Sequence, residues 1–271
     1  MASMNRLPVV LAGGAIAAQI AYPLTSGQAR DLVTVAVVTL LAAAGLAHAA
    51  TRRGPVWTAG FFAITAGVGF ASEVVGTATG YPYGCYAYAV DRLGPALFDV
   101  PLVVPLAWTA GMYPVWYVAS LLAGRGGISR PDGNRERVTR IALTTVGMVG
   151  WDLYLDPQMV SDGQWSWCNG GGLPGLEQIP LTNYLGWIVV ATLMAVGLDL
   201  LDRTGPVQPG TDTVPLVLFL WTWLGSALAH SVFLGVPELK YSALYGAAVM
   251  STLGVPLLWS LRRRAGVGAR V

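Results

Sequence analysis

Eight long apolar stretches follow one another along this chain, at about residues 7–24, 32–50, 55–79, 98–123, 138–160, 181–201, 214–235 and 241–261. A helix rises about 1.5 Å per residue, so about 20 apolar residues span the roughly 30 Å hydrocarbon layer of a bilayer. Inside lipid an apolar segment of this kind meets its backbone hydrogen bonds only as a helix. The pattern therefore predicts an all-α polytopic integral membrane bundle of about eight transmembrane helices, forming one membrane-embedded domain over residues 1–271. Polar residues collect in short turns and in three longer loops, 80–97, 124–137 and 161–180. The first stretch has a weak basic flank, no small-residue cleavage site and further apolar stretches behind it, so it reads as a retained helix.

Composition strengthens this picture. Hydrophobic residues make up 54% of the chain and charged residues 11%, far from the balance of a water-soluble domain. The 34 glycines suit helices that approach closely in lipid. A formal charge of +2 points to no nucleic-acid partner.

The placement of the cations says more than their sum. Arg6, Arg52, Arg53, Arg125, Arg130, Arg135, Arg137, Arg140, Arg203, Arg262, Arg263, Arg264 and Arg270 fall at one set of alternate ends, and only Arg30, Arg92 and Lys240 at the other. Basic residues stay on the cytoplasmic side. Both termini are expected there, in the cell membrane, with loops 80–97 and 161–180 facing outward.

Ionisable groups inside spanning segments are costly, and each is a candidate for function. Glu73, Asp152, Asp156 and His230 lie roughly 5 to 12 Å below the outward ends of their helices, counted at the helical rise. Glu73 shares a stripe with Ala66, Gly69, Gly76 and Gly80, so it points toward packed neighbours. Asp152 and Asp156 share a helix face, and two close carboxyls in a low dielectric do not both ionise, so one is expected to keep a proton. Pro157 is expected to end that helix near Asp156. Asp99, two residues before Pro101, is either a helix N-cap or a catalytic partner. His230 reads either as a packing residue or as a member of the site. Each acid also has a plainer reading, as a structural hydrogen-bonding group. His48 is assigned no role.

Aromatic residues crowd the same outward side, among them Tyr81, Tyr83, Tyr86, Tyr88, Trp108 and Trp151, followed by Tyr154, Trp165, Trp167, Tyr184 and Trp187. Any one ring fits an interfacial belt. As a group beside buried acids, their faces would also stabilise a developing carbocation. Cys85 and Cys168 occupy the two outward loops, either bonded to each other in an oxidising compartment or as two free thiols.

Four stretches, EVVGTATGYPYGCYAY from Glu73, DVPLVVPLAW from Asp99, WDLYLDPQMVSDGQWSW from Trp151 and IPLTNYLGW from Ile179, resemble the CruF-type carotenoid hydratases, a membrane family of carotenoid biosynthesis proteins. The resemblance covers most of 73–187. It implies a carotenoid 1,2-hydratase-like hydro-lyase, working without a cofactor or metal. The reaction is addition of water across the terminal isoprenoid double bond of a linear carotenoid, lycopene-like or a C50 precursor.

The catalytic set on this reading is Glu73, Asp152 and Asp156, with Asp99 and His230. Asp152 or Glu73 is the expected acid, being deeper than Asp156. The substrate-binding set is Tyr81, Tyr83, Trp108, Trp151, Tyr154 and Trp165, with Asn183, Tyr184 and Trp187. The partners are the polyisoprenoid, water and the lipid bilayer.

Three other activities compete. A membrane terpene or carotenoid cyclase begins with the same proton transfer but excludes water. A prenyltransferase needs aspartate-rich Mg²⁺ sites beside basic residues, whereas here acids and arginines lie on opposite sides. A proton-coupled transporter would use the same acids as a relay.

Overall fold

The structure, a computed structural model, describes residues 6–124, 133–204 and 207–268, with side chains to Arg263. Arg125, Arg130 and Arg270 lie outside the described residues, as does the Arg264 side chain.

Helix α1 (Leu7–Ala21) ends in a 3₁₀ turn to Leu24, and α2 (Gly27–Thr79) follows. α2 breaks at Gly54, whose φ of 80° and ψ of 168° suit glycine and few other residues. Pro55 then opens the second arm, where its fixed φ suits a first helical turn. Helix α3 (Val103–Ala123), α4 (Asn134–Ser161) and α5 (Leu181–Leu201) come next. Helix α6 (Thr213–Leu220) continues through a π-helical turn, Trp221–Gly225, into α7 (Ser226–Leu228) and a second π turn, Ala229–Phe233. Helix α8 (Leu239–Gly268) closes the bundle.

Among the described residues, five helical rods are long and apolar enough to cross a membrane: Leu7–Leu24, Gly27–Thr79, Leu181–Leu201, Thr213–Phe233 and Leu239–Arg263. At 53 residues, the second has the length of two crossings joined at its break. Helix α3 is buried on nearly every face from Val103 to Leu121. Arms of α2 and α4 pack against it, α5 packs on α4 and α2, α8 on α4, and α1 lies outermost on α2.

Loops 80–97 and 161–180 carry β structure that hydropathy does not foretell. Strand β1 (Tyr86–Tyr88) pairs antiparallel with a strand of the second loop, Tyr86 opposite Trp167 and Tyr88 opposite Trp165. Cys85 and Cys168, at the end of this ladder, form a disulfide. Strands β2 (Ala96–Leu97) and β3 (Val100–Pro101) form a hairpin, and the strand opposite β1 is β4 (Trp165–Trp167).

Two expectations change here. The stretch 98–123 is not helical from its start, because Phe98 and Asp99 make the β2–β3 turn at φ of 52° and 61°. Asp99 is therefore exposed and not a helix cap; that position falls to Leu102. Nor does Pro157 end its helix, for α4 runs on to Ser161. A proline takes away the N–H that would satisfy the carbonyl four residues earlier. That carbonyl, on Leu153, instead accepts the Ser242 hydroxyl at 2.6 Å.

At the arginine-rich end, the Arg140 guanidinium, 2% exposed, donates to Asp202 at 2.6 Å and also to Asp199. Arg53 and the Trp57 indole complete the bonds to Asp202. This cluster fixes α4, α5 and the α2 break to one another. At the opposite end Arg30 pairs with Asp162 at 2.7 Å and Arg92 with Asp31 at 2.6 Å. Tyr22 also bonds to Asp162.

Candidate active site

Glu73 enters the bundle from the second arm of α2, on the glycine stripe. Its packing depends on that stripe. A Cβ on Gly69 would lie 2.7 Å from the Trp108 ring, and one on Gly76 2.6 Å from the Tyr86 hydroxyl. With no side chain at either place, both aromatics reach the carboxyl. The Tyr86 and Tyr88 hydroxyls donate to Oε2 at 2.5 and 2.7 Å, and the Trp108 indole donates to Oε1 at 3.1 Å. Burial, and then the Glu73 charge beside them, hold both loop phenols well above the ordinary tyrosine value, so they remain donors. Three donors converge on this one carboxyl and hold it in place.

The second acidic centre is built on α4. Asp152 and Asp156, 0% and 4% exposed, stand one turn apart on the same face of α4. Asn183, from the first turn of α5, donates its amide to Asp156 Oδ2 at 2.5 Å and to Asp152 Oδ2 at 3.3 Å. Asp152 Oδ1 is buried without a hydrogen-bond partner.

Glu73 and Asp156 both line one cavity of about 420 Å³. Its walls are aromatic. Trp108 and Trp187 stack with centroids 3.9 Å apart, Trp151 meets Trp187 edge-on at 6.1 Å, and Tyr88 meets Trp165 edge-on at 5.5 Å. Negative ring faces and the Glu73 and Asp156 carboxyls thus border a largely apolar space, which suits a transient cation.

Residues 34–255 match the carotenoid biosynthesis protein family. The chain belongs to this family. It is 32% identical over 200 residues to the bisanhydrobacterioruberin hydratase of Haloarcula japonica, an alignment that covers 70% of this chain. The chain spans 59% of the length of that curated relative. No solved structure matches. This is the family that the four sequence stretches resemble, and the match extends well beyond them on both sides.

Within this family member the structure divides the expected site residues. Tyr83, Trp108, Trp151, Tyr154, Trp165, Asn183 and Trp187 all line the cavity with Glu73 and Asp156. Asp152 sits behind Asp156. Tyr81, 78% exposed, and Asp99 stand outside it, while Tyr184 is buried away from its wall. His230 is not in the cavity wall; it bonds Ser242 at 2.8 Å and Gln158 at 2.9 Å and packs edge-on against Tyr154, so it stands behind the wall residues Gln158 and Tyr154. Tyr86 and Tyr88, which also line the cavity, stand outside the site set that the sequence suggests. The alternation YAY places both rings on one strand face, but their meeting with Glu73 depends on the β1–β4 ladder. Gln158 and Trp221, also in the wall, carry no sequence signal that separates them from packing residues.

Proposed function

We propose that this protein is a membrane enzyme that adds water to the terminal isoprenoid double bond of a linear carotenoid. The observation that carries the reading is that Asp156, joined to Asp152 through Asn183, and the triply hydrogen-bonded Glu73 line one aromatic cavity. Family membership and the hydratase relative support it. The bundle sits in the cell membrane as eight spans with both termini cytoplasmic, a reading supported by the arginine asymmetry and by a disulfide among the outward loops.

In this mechanism the acid is Asp156 in place of the Asp152 or Glu73 expected from sequence, because Asp156 is the pair member in the cavity wall, and it gives its proton to the less substituted alkene carbon. The O–H bond breaks, a C–H bond forms from the π electrons, and a tertiary cation remains at the terminal carbon. Glu73 and the rings of Trp108 and Trp187 stabilise that charge. Water then bonds to the cation and loses a proton to the Asp152–Asp156 pair, which is thereby restored. No electrons leave or enter, so the product is a tertiary alcohol. Asp152 and Asn183 hold the proton on the pair and orient Asp156.

Expression in a lycopene-producing host, with mass spectrometry of the pigments, tests this. The reading expects a gain of one water mass per modified end. An isomer of unchanged mass would make the protein a cyclase, and unaltered lycopene would refute acid chemistry on that pigment.

A further inference from the structure

The cavity has an apolar rim at the surface of the molecule. Ile20, Leu24, Leu228 and Phe233 line it, yet they are 58%, 85%, 53% and 59% exposed. Ile20 and Leu24 belong to α1 and its 3₁₀ turn, and Leu228 and Phe233 to α7 and the second π turn. The rim therefore falls where α1, packed chiefly on α2, stands beside the α6–α7 rod with little contact. Across this gap the Trp221 indole donates to Gln19 Oε1 at 2.8 Å. Leu224 and Val232 continue the exposed apolar surface along the same rod. Such a rim is unfavourable in water and neutral in lipid.

The α6–α7 wall is also irregular. Its two π turns leave the Trp223 carbonyl to accept the Tyr154 hydroxyl at 3.0 Å, which ties the wall to the helix that carries the acids. Tyr22, in the cavity wall, bonds to Asp162, which pairs with Arg30.

Taking the linear-carotenoid substrate of the proposed function as given, we infer that the gap between α1 and the α6–α7 rod is a lateral portal. A linear polyene enters it end-first from the bilayer. Its end group rests between Asp156 and Glu73, and the remainder of the chain stays in lipid. The volume supports partial enclosure: about 420 Å³ is within the roughly 300–1,000 Å³ that surrounds a drug-sized molecule, not a long polyene as a whole.

The test attaches bulk after folding. Leu24→Cys and Leu228→Cys place thiols at the rim, and Leu193→Cys places one on an exposed apolar position of α5 that does not line the cavity. Cys85 and Cys168 are bonded to each other and do not react with maleimide. Each purified variant, in phosphatidylcholine vesicles, is measured before and after a bulky maleimide. Lycopene binding is followed by its visible band, and hydration by mass spectrometry.

Labelling at either rim position is expected to weaken binding at least tenfold and to slow hydration with it, while labelling at Leu193→Cys changes neither by more than twofold. Label-sensitive binding without hydration in any sample would keep the portal and refute the hydratase reading. Hydration that persists within twofold after rim labelling would overturn the portal and keep the hydratase. An equal loss from labelling at Leu193→Cys would also overturn the portal, and absence of lycopene binding by the unlabelled protein would overturn both.

Discussion

Each carboxyl in the cavity is defined by what donates to it. Glu73 takes three hydrogen bonds, and the proposed mechanism has it face positive charge, whereas Asp152 and Asp156 share the Asn183 amide, and the mechanism has that pair hold and give up the proton. Asp156→Asn removes the transferable proton at nearly constant shape, and product formation should fall by about 10² to 10⁴, the usual worth of general acid catalysis. Glu73→Gln removes the stabilising charge and should cost about 10² to 10³, comparable to the loss of an oxyanion-hole donor. Pigment quantification against protein level checks both, and either variant within a few fold of the parent would remove that residue from the mechanism. Gly76→Ala should act at a distance from the chemistry: its methyl meets the Tyr86 hydroxyl, so the bond to Glu73 must shift, and turnover should drop with little loss of folded protein. The carboxyls were legible in sequence because a charge in an apolar stretch stands out against its cost. Tyr86 and Tyr88 were not, since two tyrosines in a polar loop carry no mark of the acid they will meet.

The elements show where backbone irregularity is compensated. Pro157 within α4 frees the Leu153 carbonyl, and Ser242 from α8 fills the gap while holding His230. Ser242→Ala would leave that buried carbonyl unpaired, a loss of about 1–3 kcal/mol. The thermal midpoint in detergent should fall, and Ser242→Thr should recover most of it; equal midpoints for parent and Ser242→Ala would show that the proline is tolerated by other means. The disulfide at the end of the β1–β4 ladder has a similar role for the loops. Cys85→Ser/Cys168→Ser should loosen Tyr86 and Tyr88 and lower turnover, with parental activity in the variant as the contrary result. Periodicity located the helices well, as at 181–201, but not the β2–β3 hairpin inside an apolar stretch. Nor did a local rule for proline foresee that a serine on another helix would let α4 continue.

On the scale of the molecule, the arginine-rich end is locked by Arg140, Asp199, Asp202 and Arg53, and the opposite end carries the strands, the disulfide and the cavity. Reporter fusions at Arg130 and Gly171 should therefore report opposite sides of the membrane, and the same side for both would exclude the eight-span arrangement. This polarity was visible in sequence from the arginines alone. The ion pairs that neutralise Arg30 and Arg92 were not, because Asp162 and Asp31 are remote in the chain and meet only in the folded bundle. The central claim is addition of water through an acid-generated cation, and isotopic labelling tests it most directly. Pigment formed in heavy-oxygen water and deuterium oxide should carry the heavy oxygen on the tertiary carbon and one deuterium on the neighbouring carbon. An alcohol with unlabelled oxygen, or a neighbouring carbon without solvent deuterium, would contradict the account.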